Sequence, residues 1–218
     1  MNVWITAVLL YLLAVSVPVF GIEEVPIPTP VDGETWEFVA STKNAPHSSS
    51  DVLSGNYRIT YQGGSLNVIQ IIDGVEYQAS PRVAGHLNRL IAFGQDERTY
   101  LKFPLLIGKK WGPIEFSSQS PGASARATLS YSINYEVAAE EKIDTSIGKL
   151  PVLRLEGKGE VSSPARTFKT AWFYFYSPAC RCIAKYFYDA VVGEKNSAKI
   201  EIEIAKHSVP GKELVKAR

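Results

Sequence analysis

Cys180-Arg181-Cys182 holds both cysteines of the chain. Two thiols this close can form a disulfide, a reducible dithiol or part of a soft-metal site. Arg181 and Lys185 supply positive charge, which favours a thiolate and hence redox use. No thioredoxin-like βαβ pattern surrounds the pair, which favours a local staple. On a regular strand, Cα atoms two residues apart lie near the upper limit for a bridge. A position at the end of the Ser177-Pro178 turn would relax that limit.

Other reactive groups do not form a pattern. His47, His86 and His207 are scattered. No two have the i, i+4 or i, i+2 spacing of a metal pair, and exposed positions on loops or tail are expected. There is no nucleophile elbow, phosphate loop or dinucleotide fingerprint. Glu140-Glu141 and Glu201/Glu203 are paired carboxylates, but on the outer face of a strand such pairs are solvated. No metal and no cofactor are expected, and catalysis is not favoured.

The aromatic residues are the stronger signal. Thr170–Asp189 contains eight of them as well as both cysteines. Trp172, Tyr174 and Tyr176 share one face of a strand, and Phe173 and Phe175 share the other. Both faces are apolar, so the strand is expected at the centre of the sheet and covered on both sides. The first face could line an apolar cavity together with Trp111, Tyr131 and Tyr135. The favoured reading is a filled core with polar tips at its rim.

The elements that must carry these residues are strands. Ala127–Val137 alternates Ala127, Leu129, Tyr131, Ile133, Tyr135 and Val137 against polar neighbours, the mark of an antiparallel sheet with one wet face. Ile200, Ile202 and Ile204 alternate against Lys199, Glu201 and Glu203. Asp73-Gly74 between apolar runs predicts a type I′ hairpin. Leu150–Val161 reads as a strand with Gly157 and Gly159 as bulge or bend points. Thr99–Phe103 reads as another strand, Ser80–Gly85 as loop, and Asn88–Phe93 as strand or helical turn. No convincing amphipathic helix of four turns is found. The expected class is all-β: a single antiparallel curved sheet forming a β roll or incomplete barrel. There is also an internal echo between 33–61 and 108–135. Gly33-x-x-Trp36 precedes Tyr57-x-Ile59-x-Tyr61, and Gly108-x-x-Trp111 precedes Tyr131-x-Ile133-x-Tyr135.

The chain has 218 residues, 45% apolar and 21% charged, with 23 basic and 22 acidic side chains. That is ordinary globular composition, with no basic surplus for nucleic acid. Residues 1–21 differ. Val3–Phe20 is apolar and uncharged, and Val19-Phe20-Gly21 suits a signal peptidase, so a signal peptide cut after Gly21 is expected. The alternative is an uncleaved membrane anchor; eighteen mostly apolar residues are marginal for a span. Once the signal is cut, no transmembrane segment is expected. Residues 22–32 carry Pro26, Pro28 and Pro30 and read as a linker. Residues 33–206 read as one β domain, and 207–218 as a polar tail.

Three motifs occur in order. The first is Phe103-Pro104-Leu105-x-x-Gly108-Lys109-x-Trp111. The second is Glu141-x-Ile143-x-Thr145-x-x-Gly148-Lys149-Leu150. The third is Trp172-Phe173-Tyr174 before Pro178, followed by Ile183-x-Lys185-Tyr186. The chain resembles, over about Tyr100–Asp189, a family of exported bacterial β-rich domains of unknown function. It departs from them in its longer aromatic strand and its two cysteines. The resemblance implies secretion and an antiparallel β roll or incomplete barrel, and no catalytic residues.

Two functions follow as expectations. The first is an exported, non-enzymatic periplasmic or extracellular β domain, acting as a binding or structural module. Its partner would be an apolar small molecule or an envelope protein. The candidate contact residues are Trp111, Tyr131, Tyr135, Trp172, Tyr174 and Tyr176. The alternative is a secreted redox protein or enzyme using Cys180 and Cys182.

Overall fold

The computed structural model describes residues 24–44, 53–91, 101–119, 128–195 and 197–211. The expected signal peptide and His47 lie outside them. Four strands come first: β1 (Thr35–Lys43), β2 (Gly55–Gln62), β3 (Ser65–Ile72) and β4 (Val75–Gln78). A helix, α1 (Pro81–Asn88), follows. Six more strands complete the chain: β5 (Lys110–Gln119), β6 (Thr128–Thr145), β7 (Gly148–Ser162), β8 (Thr167–Ser177), β9 (Cys182–Asp189) and β10 (Lys199–Ser208). They form one ten-stranded sheet in the order β4-β3-β2-β1-β10-β9-β8-β7-β6-β5. Two meanders, β1–β4 and β5–β10, are joined where β1 pairs with β10. Every pairing is antiparallel. The sheet does not close, and β4 and β5 are its edges.

The period-two pattern decides which side is inside. Trp36, Phe38, Tyr57, Ile59, Ile133, Tyr135, Leu155, Tyr174, Tyr186, Ile202 and Ile204 are all buried on the inner face. Register shifts occur at Glu37/Phe38, Trp111/Ile114, Val137/Ala139 and Phe175/Tyr176. All four lie toward the end of the sheet that carries the β8–β9 turn. Bulges sharpen local twist and bend, so this end curls most. Beyond its bulge the β6–β7 hairpin reaches β10, where the Ser146 N–H donates to the Glu203 carboxylate at 3.2 Å.

Gly157 and Gly159 are not bulges. A Cβ on Gly157 would sit 2.6 Å from the Tyr135 ring, and one on Gly159 would sit 2.0 Å from the Ser132 carbonyl oxygen. These glycines let β6 and β7 cross closely. The Asp73-Gly74 hairpin forms as the sequence predicts, with φ of 51° and 80°.

Helix α1 was not foreseen, since Ser80–Gly85 reads as loop. Ser80 caps it by accepting from the Val83 N–H at 3.4 Å, and Pro81 occupies its first turn. At eight residues the helix is too short for apolar periodicity to announce it. It contributes buried Leu87, and the residues after it add Leu90 and Ile91. The Leu90 carbonyl accepts from the Ile183 N–H at 2.8 Å, which ties the helix exit to β9. In place of the expected strand at Thr99–Phe103, the described part of that run, from Leu101, has no strand and leads to an isolated bridge at Leu105.

The proline-rich stretch is attached to the domain. Val25 is 3% exposed and exchanges two 2.9 Å backbone hydrogen bonds with fully buried Leu105. Further on, the Thr29 carbonyl accepts from Arg181 and Asp32 accepts from the Gly63 N–H. Residues 24–34 therefore run as a strap across the end of the sheet that holds the β8–β9 turn. The other terminus also departs from the sequence reading: His207 and Ser208 complete β10. Their register opposite Trp36 and Thr35 explains why.

Candidate functional site

The cysteines occupy the β8–β9 turn. Cys180 and Cys182 are joined by a disulfide with Cα atoms 5.4 Å apart. Both are buried. Arg181 between them has φ of 53°, a left-handed conformation that turns its side chain away from the strand direction. The guanidinium reaches Glu34, with Nε 3.1 Å and Nη2 2.6 Å from Oε1. Its Nη1 donates to the Thr29 carbonyl at 3.0 Å.

Glu34 has no exposed surface. Besides Arg181, its Oε1 lies 2.7 Å from His207 Nε2, and its Oε2 accepts from the Val31 N–H at 3.1 Å. Burial works against the charged carboxyl. The bonds from His207, Val31 and Arg181 outweigh it and hold Glu34 below its ordinary pKa. Trp36 stacks on His207 with ring centres 5.8 Å apart, and its indole N–H donates to the Cys180 carbonyl at 2.8 Å. The cluster is self-satisfied, as a buried ion pair must be. It joins the strap, β1, β10 and the disulfide turn. His207, expected to be exposed, is buried here because the β1–β10 register sets it beside Glu34 and Trp36.

The six candidate aromatic residues all lie on the inner face. Trp111 stacks on Tyr135 at 5.7 Å, and Tyr135 meets Tyr174 at 6.3 Å. Tyr174 meets Trp172 at 6.5 Å, and Trp172 meets Tyr131 at 6.1 Å. Tyr176 sits further along the same face, edge-on to Phe103 at 5.5 Å. The β6–β7–β8 register creates this network, because Tyr135 faces Gly157 and Gly157 faces Trp172. A missing side chain on β7 leaves room for rings from both flanks. Burial raises the pKa of Tyr176 and, with Tyr131 nearby, of Tyr188. Both hydroxyls stay protonated near neutral pH.

The six differ in access. Tyr135, Trp172, Tyr174 and Tyr176 are buried, whereas Trp111 and Tyr131 are half-exposed. Trp111 and Tyr135 also line an open groove of about 530 Å³ at the start of β5. Asn134 and the ion pairs Lys110–Glu136 and Lys158–Glu156, at 3.3 and 2.5 Å, form its polar walls. The Trp111 indole nitrogen is buried and donates to no described group. The opposite face of β8 departs from expectation: Phe173 and Phe175 are only half-buried, since the sheet is a single layer there. Phe173 instead packs beside Phe187 at 6.0 Å.

Among the described residues, no group of three or more His, Cys, Asp or Glu could hold a metal ion. None of their helices is long and apolar enough to cross a membrane.

No family model matches the chain, and no curated protein matches it. The chain aligns with several solved structures, three of which follow. One is a Bacteroides fragilis protein of YmcC-like fold, named an exported protein. It has 11% identity and a TM-score of 0.39, with 85% of this chain and 100% of that one covered. The second, from Parabacteroides distasonis, is named a lipoprotein and has 10% identity and a TM-score of 0.41, covering 84% and 97%. The third is the hypothetical lipoprotein YmcC of Escherichia coli, at 11% identity and a TM-score of 0.38, covering 81% and 85%. No site residue is carried over from them.

Proposed function

We propose that this chain is an exported, non-enzymatic β module of the cell envelope that binds an apolar small molecule. The observation that carries this reading is the groove at the start of β5, where half-exposed Trp111 meets a polar wall. Aromatic surface beside a few polar groups suits a ligand with an apolar body and a polar end. Export rests on the apolar, uncharged run Val3–Phe20. Of the buried members of the aromatic set, Tyr174 meets the lining residue Tyr135, whereas Trp172 and Tyr176 are not among the groove's lining. Tyr131 flanks Trp172 on the open side of the same network.

Native mass spectrometry of the purified protein and titration with an anilinonaphthalene probe test the reading. A bound mass or saturable fluorescence is expected. Trp111→Ala should weaken probe binding about tenfold, roughly 1.4 kcal/mol, while the melting temperature changes little. Absence of both signals in the unmodified protein would overturn ligand binding and leave a structural module.

A further inference from the structure

We infer that the groove at the start of β5 continues across β8 onto Phe173 and Phe187, and that its ligand is an amphiphile with an uncharged, hydroxyl-bearing head. The cross-strand register carries the continuity. Lys110 faces Glu136, Glu136 faces Glu156, Glu156 faces Phe173 and Phe173 faces Phe187. Directly opposed residues of antiparallel strands project on the same side of the sheet. These side chains therefore form one row on the outer face, charged at the groove and aromatic beyond it. At about 4.8 Å per strand the row spans roughly 19 Å, room for a polar head and a short apolar chain. Phe173 and Phe187 are half-buried, with ring centres 6.0 Å apart, so each still shows aromatic surface.

The charges at the groove select the head. Its lining holds two lysines and two glutamates, so it has no net charge. Each is already paired: Lys110 with Glu136 at 3.3 Å, and Lys158 with Glu156 at 2.5 Å. Arg154 also pairs with Glu156. Past Phe187 comes Glu201, which Lys185 pairs at 2.9 Å. A carboxylate, phosphate or ammonium head would have to break one of these pairs or lie beside a like charge. Hydroxyls need break none. An ammonium carries three donors and a carboxylate accepts at several lone pairs, so a paired Lys or Glu retains capacity for a hydroxyl. Asn134, exposed and facing Lys158 in the next row, adds an amide that both donates and accepts.

This inference deepens the ligand-binding reading and rests on it. The purified chain is loaded with the uncharged probe N-phenylnaphthylamine, which is then displaced by monomeric octyl glucoside, octanoate or octylammonium. The tails are alike, so the heads are compared. Octyl glucoside should displace the probe at about tenfold lower concentration than either charged amphiphile. Phe187→Ala should weaken octyl glucoside binding about fivefold, with little change in melting temperature. Glu136→Gln removes the carboxylate partner of Lys110 and should shift the preference toward octanoate, by about fivefold relative to octyl glucoside. Displacement by a charged amphiphile at equal or lower concentration, or an unchanged affinity in Phe187→Ala and Glu136→Gln, would overturn this assignment while the ligand-binding reading stands. No probe binding by the unmodified chain would overturn both.

Discussion

His86 shows how a single side chain can shape the acid stability of this protein. It sits on α1, half-buried, with its ring edge-on to Tyr186 at 5.8 Å. Burial and the neighbouring Arg89 and Arg82 push its pKa down to about 4. In the unfolded chain the same imidazole titrates near about 6.5. The folded state thus refuses a proton that the unfolded state accepts. Stability should be full above the unfolded value and fall as pH drops toward 4, by at most about 1.4 kcal/mol per pH unit. Glu34 acts in a lower window. Its lowered pKa gives a contribution that is complete above the ordinary carboxyl value of 4.5 and is lost as pH falls through the folded value. Urea denaturation at a series of pH values checks both. His86→Gln should flatten the curve between about 6.5 and 4 and leave the steeper acid limb in place. His86 and Glu34 could be named from the sequence, but their protonation behaviour could not. Neither Tyr186 nor the Arg181–His207 pair is near them in the chain.

At the scale of elements, β6 and β7 depend on close approach. Gly159 allows the Ser132 carbonyl to approach where a Cβ would sit 2.0 Å away. The obstacle is backbone within a paired strand, so no rotamer change relieves it. Gly159→Ala should destabilise the fold by about 3 kcal/mol, the upper part of the usual overpacking range. Thermal melting checks this. Asn67→Ala, on an exposed position of β3, should change stability by less than about 0.5 kcal/mol. The strand itself is legible from the alternation in Leu150–Val161, and the glycines read as departures from it. Only the β6–β7 register shows that they serve contact rather than bulging. The aromatic strand β8 was legible in the same partial way. The spacing puts Trp172, Tyr174 and Tyr176 on one face, and that face is the buried one. The cover expected over Phe173 and Phe175 was not found, because apolar side chains on both faces do not specify a second layer.

For the molecule as a whole, the strap decides whether the proline-rich stretch is a tether or part of the fold. Val25 is buried and both its backbone groups are bonded to Leu105. Val25→Asp would place a carboxylate in the apolar core cluster. It should cost about 3 kcal/mol, seen as a lower urea midpoint. A free tether would leave that midpoint unchanged. The residues 207–208 make the same point at the other terminus: a polar composition suggested a tail, and pairing with β1 made them strand.

The sequence by itself determined the all-β class, the antiparallel pairing and the inner face of most strands. These follow from alternation between residues two apart, a local property that any single strand displays. It also marked the Gly-x-x-Trp entries at Gly33 and Gly108, both of which adopt positive φ and lead into strands. It did not determine how those strands align. Trp36 faces Ile59, whereas Trp111 faces Tyr135, so the two segments differ in register. Only the tertiary structure brought Arg181 to Glu34 across 147 residues and His207 to Glu34 across 173. Such contacts are made by the β1–β10 pairing, the disulfide turn and the strap acting together, and no local pattern encodes them.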